Sequence, residues 1–223
     1  MDAPDLPRWA ARSAHRLFGT VAKLRDARGL HPKGTTFRGD AQIYPAGAAL
    51  GPPGSIDVVA RLSRGIGLPH PWPDFNGIAI RFVDAHGPDR HQDVLLTASF
   101  SAPVLRHTIF PWPTFSVLGY SSVLTFGTED GPRVLRVEPL AAPTLDAAVE
   151  SLPLTVELRI AEPRAGWAPA ATVVLREVVP ADEAAVVRFD PWTTTVTFRP
   201  RGILNSLRGP AYAGSREAAP RRP

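Results

Sequence analysis

The sequence contains no cysteine, a single methionine and, among its 25 cationic residues, only two lysines, Lys23 and Lys33. Without cysteine there is no disulfide, no thiolate metal ligand and no cysteine nucleophile. With so little lysine, the net charge of +4 is carried by arginine. The arginines are dispersed rather than gathered into a stripe, which argues against a nucleic-acid partner and suits bidentate recognition of carboxylate or phosphate. Nowhere do 18 apolar residues follow one another, so no membrane-spanning helix and no stable membrane insertion are expected. Residues 1–9 hold Asp2, Pro4, Asp5 and Pro7 where a secretory leader needs basic residues and then an apolar run. A cytoplasmic location is the expectation.

What is present is enough for one core. The chain has 223 residues, 44% hydrophobic and 21% charged, with 25 prolines and 18 glycines, the composition of a globular domain rich in turns. No repeat of 20 to 50 residues and no linker between two composition regimes is visible, so residues 1–223 are read as one domain. Its expected parts are a leading helix and arm over 1–30, a barrel over 31–200, and a C-terminal helix and tail over 201–223.

In residues 7–27, Trp9, Leu17, Phe18, Val21 and Leu24 recur at mostly helical offsets. The period then changes. Residues 35–44, 55–63, 77–84 and 91–98 are rich in β-branched and apolar side chains and are separated by Pro/Gly clusters. Further strand signals fall at 133–138, 154–160, 172–179 and 185–189, with a short helix at 144–152 that Thr144 would cap. About eight short strands predict a mainly β, α+β fold: an eight-stranded antiparallel barrel with an N-terminal helix and a C-terminal helix at 202–218.

Three fragments carry candidate chemistry. His31 stands in Arg28-Gly-Leu-His31-Pro-Lys-Gly34, just before a strand; taken alone it reads as a turn or surface residue. Arg61-Leu-Ser63 closes the second strand, where alternation puts Arg61 and Ser63 on one face. In Arg208-Gly-Pro-Ala-Tyr212 the spacing of four puts guanidinium and phenol on one side of a helical turn; alone, it reads as a surface arginine beside an aromatic.

In this order, the fragments make the chain resemble the catalase-like haem protein superfamily, of the small catalase-related peroxidase type, a resemblance that implies a barrel enclosing haem and a following helix that supplies the proximal ligand. Arg28-x-x-His31-x-Lys-Gly34 resembles the distal histidine motif and Arg61-Leu-Ser63 the strand that supports it. Phe75-Asn-Gly-Ile-Ala-Ile-Arg-Phe82 and Asp93-Val-Leu are similar to the next two strands, and Arg208-x-x-x-Tyr212 has the spacing of the proximal pair. The resemblance implies haem b as cofactor. Tyr212 would be its iron ligand as a phenolate stabilised by Arg208, with His31 the distal acid/base and Ser63 orienting its ring. Arg28 and Arg61 would be partners of the haem carboxylates. Where the family has an asparagine after Asp-Leu-Val, this chain offers Thr97, a shorter polar partner. That departure favours peroxidase or hydroperoxide-rearranging chemistry over dismutation. Peroxide or an organic hydroperoxide, with a small reducing substrate, are the implied partners. Gly209 and Pro210 require the proximal helix to start near residue 208 or to bend there.

Other residues admit different readings. Phe110 and Phe115 lie in a proline-broken aromatic stretch that reads as loops covering a barrel end, or as a cofactor wall, or as a surface for a homo-oligomer. His86 and His91, with Asp84, Asp89 and Asp93, raise a divalent metal and a haem-free phosphodiesterase on the same barrel; Gly87-Pro88-Asp89 is equally ordinary turn chemistry. Arg64, Gly65 and Gly67 have the glycines of a phosphate loop but lack its lysine and following helix. A noncatalytic carrier of an apolar ligand is the remaining alternative.

Overall fold

A computed structural model describes residues 33–103, 105–116, 119–195 and 198–201. Ten strands follow in chain order: β1 (Lys33–Ile43), β2 (Gly54–Arg64), β3 (Asn76–Phe82), β4 (Gln92–Ala98), β5 (Tyr120–Ser121), β6 (Phe126–Thr128), β7 (Gly131–Val137), β8 (Leu154–Ala161), β9 (Ala168–Val178) and β10 (Arg199–Pro200). Single 3-10 turns lie at Pro45–Leu50 and Leu105–His107, and short helices at Leu145–Glu150 (α1) and Ala181–Val186 (α2).

Pairing runs antiparallel from β1 through β2, β3, β4, β5, β7, β8 and β9, and β9 returns to β1. Eight strands thus close into a barrel, while β6 and β10 add a small flap beside β7. Closure removes the free edges that an open sheet would expose. The cause is local alternation. In β8, Leu154, Val156, Leu158 and Ile160 are buried while Thr155 and Glu157 are exposed, so one side of each strand turns inward. Phe37, Leu62, Ile80, Phe82, Val94 and Leu158 meet there, each 0% exposed, and each such burial contributes roughly 1.5–3 kcal/mol. The barrel interior is filled by the hydrophobic core, and not by the enclosed haem that the resemblance implies.

At the seam, β1 and β9 slip register between Arg38 and Gly39. A Cβ on Gly39 would lie 1.9 Å from the Val174 carbonyl oxygen, so only glycine lets the two backbones approach this closely.

Seven of the eight expected strands are found with small changes at their ends. The expected strand at 185–189 is not. Residues Ala181–Val186 form α2 instead, with Pro180 before the first turn and Asp182 and Glu183 inside it. Alanine and acidic first-turn residues favour a helix, and Arg38 of β1 ties it down through Glu183. The eighth barrel strand is β5, two residues long, too short to leave a periodic signal. The expected leading helix and C-terminal helix lie outside the described residues.

Thr144 caps α1 as its sequence suggests: its hydroxyl accepts the Ala147 N–H at 3.1 Å. Thr144→Ala should therefore lower stability by about 1 kcal/mol, read as a shift of the denaturant midpoint at unchanged slope.

Candidate functional site

Directly paired residues of antiparallel strands project to the same face. Since Phe37, Ala60, Ile80 and Val94 form one paired row and face the core, the alternate rows face outward. Gly34, Ser63, Gly77 and Thr97 make one outward row, continued by Ser121 and Arg136. Thr36, Arg61, Ala79 and Leu95 make the next.

Together these rows form a wall of small and polar side chains on the outside of β1 to β4. Ser63 and Thr97 flank Gly77, two strand spacings or about 10 Å apart; Ser63 and Gly77 are buried and Thr97 is half-buried. Ser63 Oγ lies 3.5 Å from the Gly77 carbonyl oxygen, and Thr97 Oγ1 donates to the Asn76 carbonyl at 3.2 Å. Arg61 donates from Nη1 to Thr36 Oγ1 at 3.2 Å. Although they face outward, Thr36 and Ser63 are only 2% and 5% exposed. A Cβ on Gly34 would stand 2.9 Å from the second Arg61 nitrogen; glycine leaves the guanidinium its place against the wall.

Arg61, Ser63 and Thr97, chosen from the sequence, are thus brought together. Gly34, Thr36 and Gly77 complete the wall. No local signal marked Thr36, because a threonine in a strand is unremarkable until register sets it beside an arginine. Arg28, His31, Arg208 and Tyr212 lie outside the described residues. Phe115 is in the core at 1% exposure, and its carbonyl accepts the Tyr120 hydroxyl at 2.7 Å. Phe110 stands between Phe100 and Trp112, with ring centres at 5.0 and 5.7 Å, and its N–H donates to Ala98 at the end of β4.

The wall ends in a polar latch. Asp74 is fully buried and accepts backbone N–H groups from Ile66, Gly67, Leu68 and Phe75 at 2.7–2.9 Å. Burial raises its pKa, but those four donors outweigh burial and hold it below its ordinary value. Arg64, 3.7 Å from the same carboxylate, donates to the Leu68 and Pro113 carbonyls at 2.8 and 3.0 Å. Asn76 donates to Trp112 and Thr114. The glycine-bearing segment set aside as a phosphate loop binds the chain's own Asp74 through the Ile66, Gly67 and Leu68 N–H groups, while the Gly65 N–H donates to the Phe75 carbonyl.

The metal reading of the 84–93 region finds no converging ligands. His91 Nδ1 accepts the Asp84 N–H at 3.0 Å, and Asp84 Oδ1 accepts the Asp89 N–H at 2.8 Å, which is turn bonding. Asp93 points elsewhere: Arg81 grips it bidentately at 2.7 Å for both bonds. Burial raises the Asp93 pKa against this pairing. The Asp190 N–H also donates to Asp93, so the pair fastens the segment after α2 to the barrel. His86 has its pKa lowered by burial and then by the charge of Arg90. Among the described residues no three histidine or acidic side chains are placed to share a metal ion, and no helix is long and apolar enough to cross a membrane.

In three dimensions the chain is similar to a bacterial catalase, with 12% identity and a TM-score of 0.55 over 85% of this chain and 56% of the other. A fungal catalase gives 13% and 0.55 over 83% and 57%. Catalase A from Saccharomyces cerevisiae gives 11% and 0.57 over 86% and 60%. The fold is therefore a catalase-like barrel, and the chain spans less than two thirds of the length of these proteins. No protein-family model matches the sequence, and no curated protein matches it.

Proposed function

We propose that this chain is a haem-dependent peroxidase or hydroperoxide-metabolising enzyme whose site lies against the outer wall of β1 to β4. The observation that carries the reading is the outward row Gly34, Ser63, Gly77, Thr97. His31 precedes Gly34 by three residues, so chain length alone keeps its Cα within about 11 Å of that row. The wall is compatible with a flat macrocycle. Its glycines and alanine add little side-chain bulk, Arg61 brings a guanidinium that can meet a carboxylate, and Ser63 and Thr97 supply hydroxyls beside it.

In this reading Tyr212 holds the haem iron as phenolate, and Arg208 stabilises that negative charge. Arg28 and Arg61 bind the macrocycle's carboxylates through charge-assisted hydrogen bonds, and Phe110 borders the site. Bound haem supplies the redox iron that peroxide cleavage needs. The chain would supply the proton movement: the His31 imidazole would accept a proton from one peroxide oxygen and deliver it to the departing one, which would leave as water from hydrogen peroxide or as an alcohol from an organic hydroperoxide. Ser63 orients the ring, and Thr97 offers the peroxide a second, shorter polar contact. A single hydroxyl there, in place of an amide with two donors and an acceptor, supports oxidation or rearrangement of hydroperoxides over dismutation.

Titration of the purified chain with haemin, followed by absorbance, should give a Soret band that saturates at one equivalent. Arg61→Ala should weaken the affinity about 10- to 100-fold, the value of a charge-assisted bond. An unchanged haemin spectrum would reject the assignment.

A further inference from the structure

We propose that the loop from β2 to β3, with the neighbouring turn after β4, docks on an anionic lipid surface as a peripheral contact. Residues 65–73 read Gly-Ile-Gly-Leu-Pro-His-Pro-Trp-Pro, with His70 as the sole polar side chain. Ile66 and Leu68 are each 38% exposed and Trp72 is 65% exposed. A loop of this composition would ordinarily fold its apolar groups away from water. Here its backbone is held from within: buried Asp74 takes three of its N–H groups, and buried Arg64 takes the carbonyls of Leu68 and Trp72. The polar backbone is satisfied inward and the side chains are left outward. Prolines 69, 71 and 73 stiffen the tip further.

The second loop is joined to the first by the Asp74↔Trp112 bridge and brings Leu105, 46% exposed, and Ile109, 57% exposed. Five of the nine large hydrophobic side chains exposed among the described residues lie on these two joined loops, so the exposure is concentrated.

Charge selects the occupant. No Asp or Glu occurs between Asp57 and Asp74 or between Asp93 and Glu129, and Asp74 and Asp93 are fully buried. Neither loop shows an exposed carboxylate. Exposed Lys33 pairs with Arg64 at the root of the first loop, His70 and His107 are the exposed ionisable side chains on the two loops, and Arg106 of the second loop is buried. Apolar side chains with an indole at the tip, lysine at the root and no negative charge match the headgroup region of an anionic bilayer, where tryptophan sits at the interface and cations are attracted.

The full chain should float with phosphatidylcholine vesicles that contain phosphatidylglycerol, far less with phosphatidylcholine alone, and less in high salt. Trp72→Ser combined with Ile109→Ser should lower retention at least about tenfold, with circular dichroism unchanged because both side chains are exposed. No retention on anionic vesicles, equal retention on both kinds, or undiminished retention of the double variant would overturn the proposal. So would concentration-dependent self-association abolished by the same substitutions, which would assign the surface to a second copy of the chain.

Discussion

In haem-loaded protein, His31→Ala is expected to slow peroxide-dependent oxidation of a dye about 100- to 10,000-fold while the Soret band persists. The size follows from the difficulty of the step. A peroxide splits readily only if the departing oxygen leaves as water, which requires a proton moved between the two oxygens at the same site. An imidazole can accept and release a proton near neutral pH, whereas a serine or threonine hydroxyl cannot. Ser63 and Thr97, the hydroxyls of the wall, would hold the peroxide but not replace that function. Tyr212→Phe should behave differently, removing or shifting the band itself, because it touches the iron ligand and not the proton path. Stopped-flow rates and absorption spectra of the two variants separate the roles. A His31→Ala variant with undiminished turnover would remove His31 from the mechanism, and an unaltered spectrum in Tyr212→Phe would remove Tyr212 as ligand.

The largest stability loss is expected from Asp74→Ala, about 3–5 kcal/mol, a substantial share of the 5–15 kcal/mol typical of a domain. The variant deprives four backbone N–H donors of their acceptor and leaves Arg64 buried beside no carboxylate. The pH dependence has a definite sign. The Asp74 pKa in the folded chain is below its ordinary value of 3.8, so the folded state binds this proton less readily than the unfolded state does. The contribution is present above pH 3.8 and is lost as pH falls through the lower folded-state value. Wild type should therefore lose stability in this acid range more steeply than Asp74→Asn, which lacks the ionisation. Equal slopes for the two proteins in denaturant titrations carried from pH 4 downward would show that the latch does not titrate as described.

The anion-binding loop shows how far local reading reaches. In the sequence, Arg64, Gly65 and Gly67 suggest a phosphate loop only to be set aside for want of its lysine and following helix. That the segment binds a negative charge, and that the charge is Asp74 and not a ligand, depends on β3 returning to the end of β2, where the Gly65 N–H donates to Phe75. A similar limit applies to α2. Its valines resemble a strand locally, but β9 already pairs with β1 and closes the sheet, so no place in the barrel remains for another strand at 185–189.

The sequence by itself determined the barrel class, seven of its eight strands, the Thr144 cap and the turn chemistry at 84–91, because alternation, capping and turns act within a few residues. Only the tertiary structure decided that β5 is the eighth strand, that Ser63 and Thr97 flank Gly77 on the outer wall, and that Thr36 supports Arg61. These outcomes depend on register between strands distant in the chain, and a shift of a single residue would have turned each of those side chains to the opposite face.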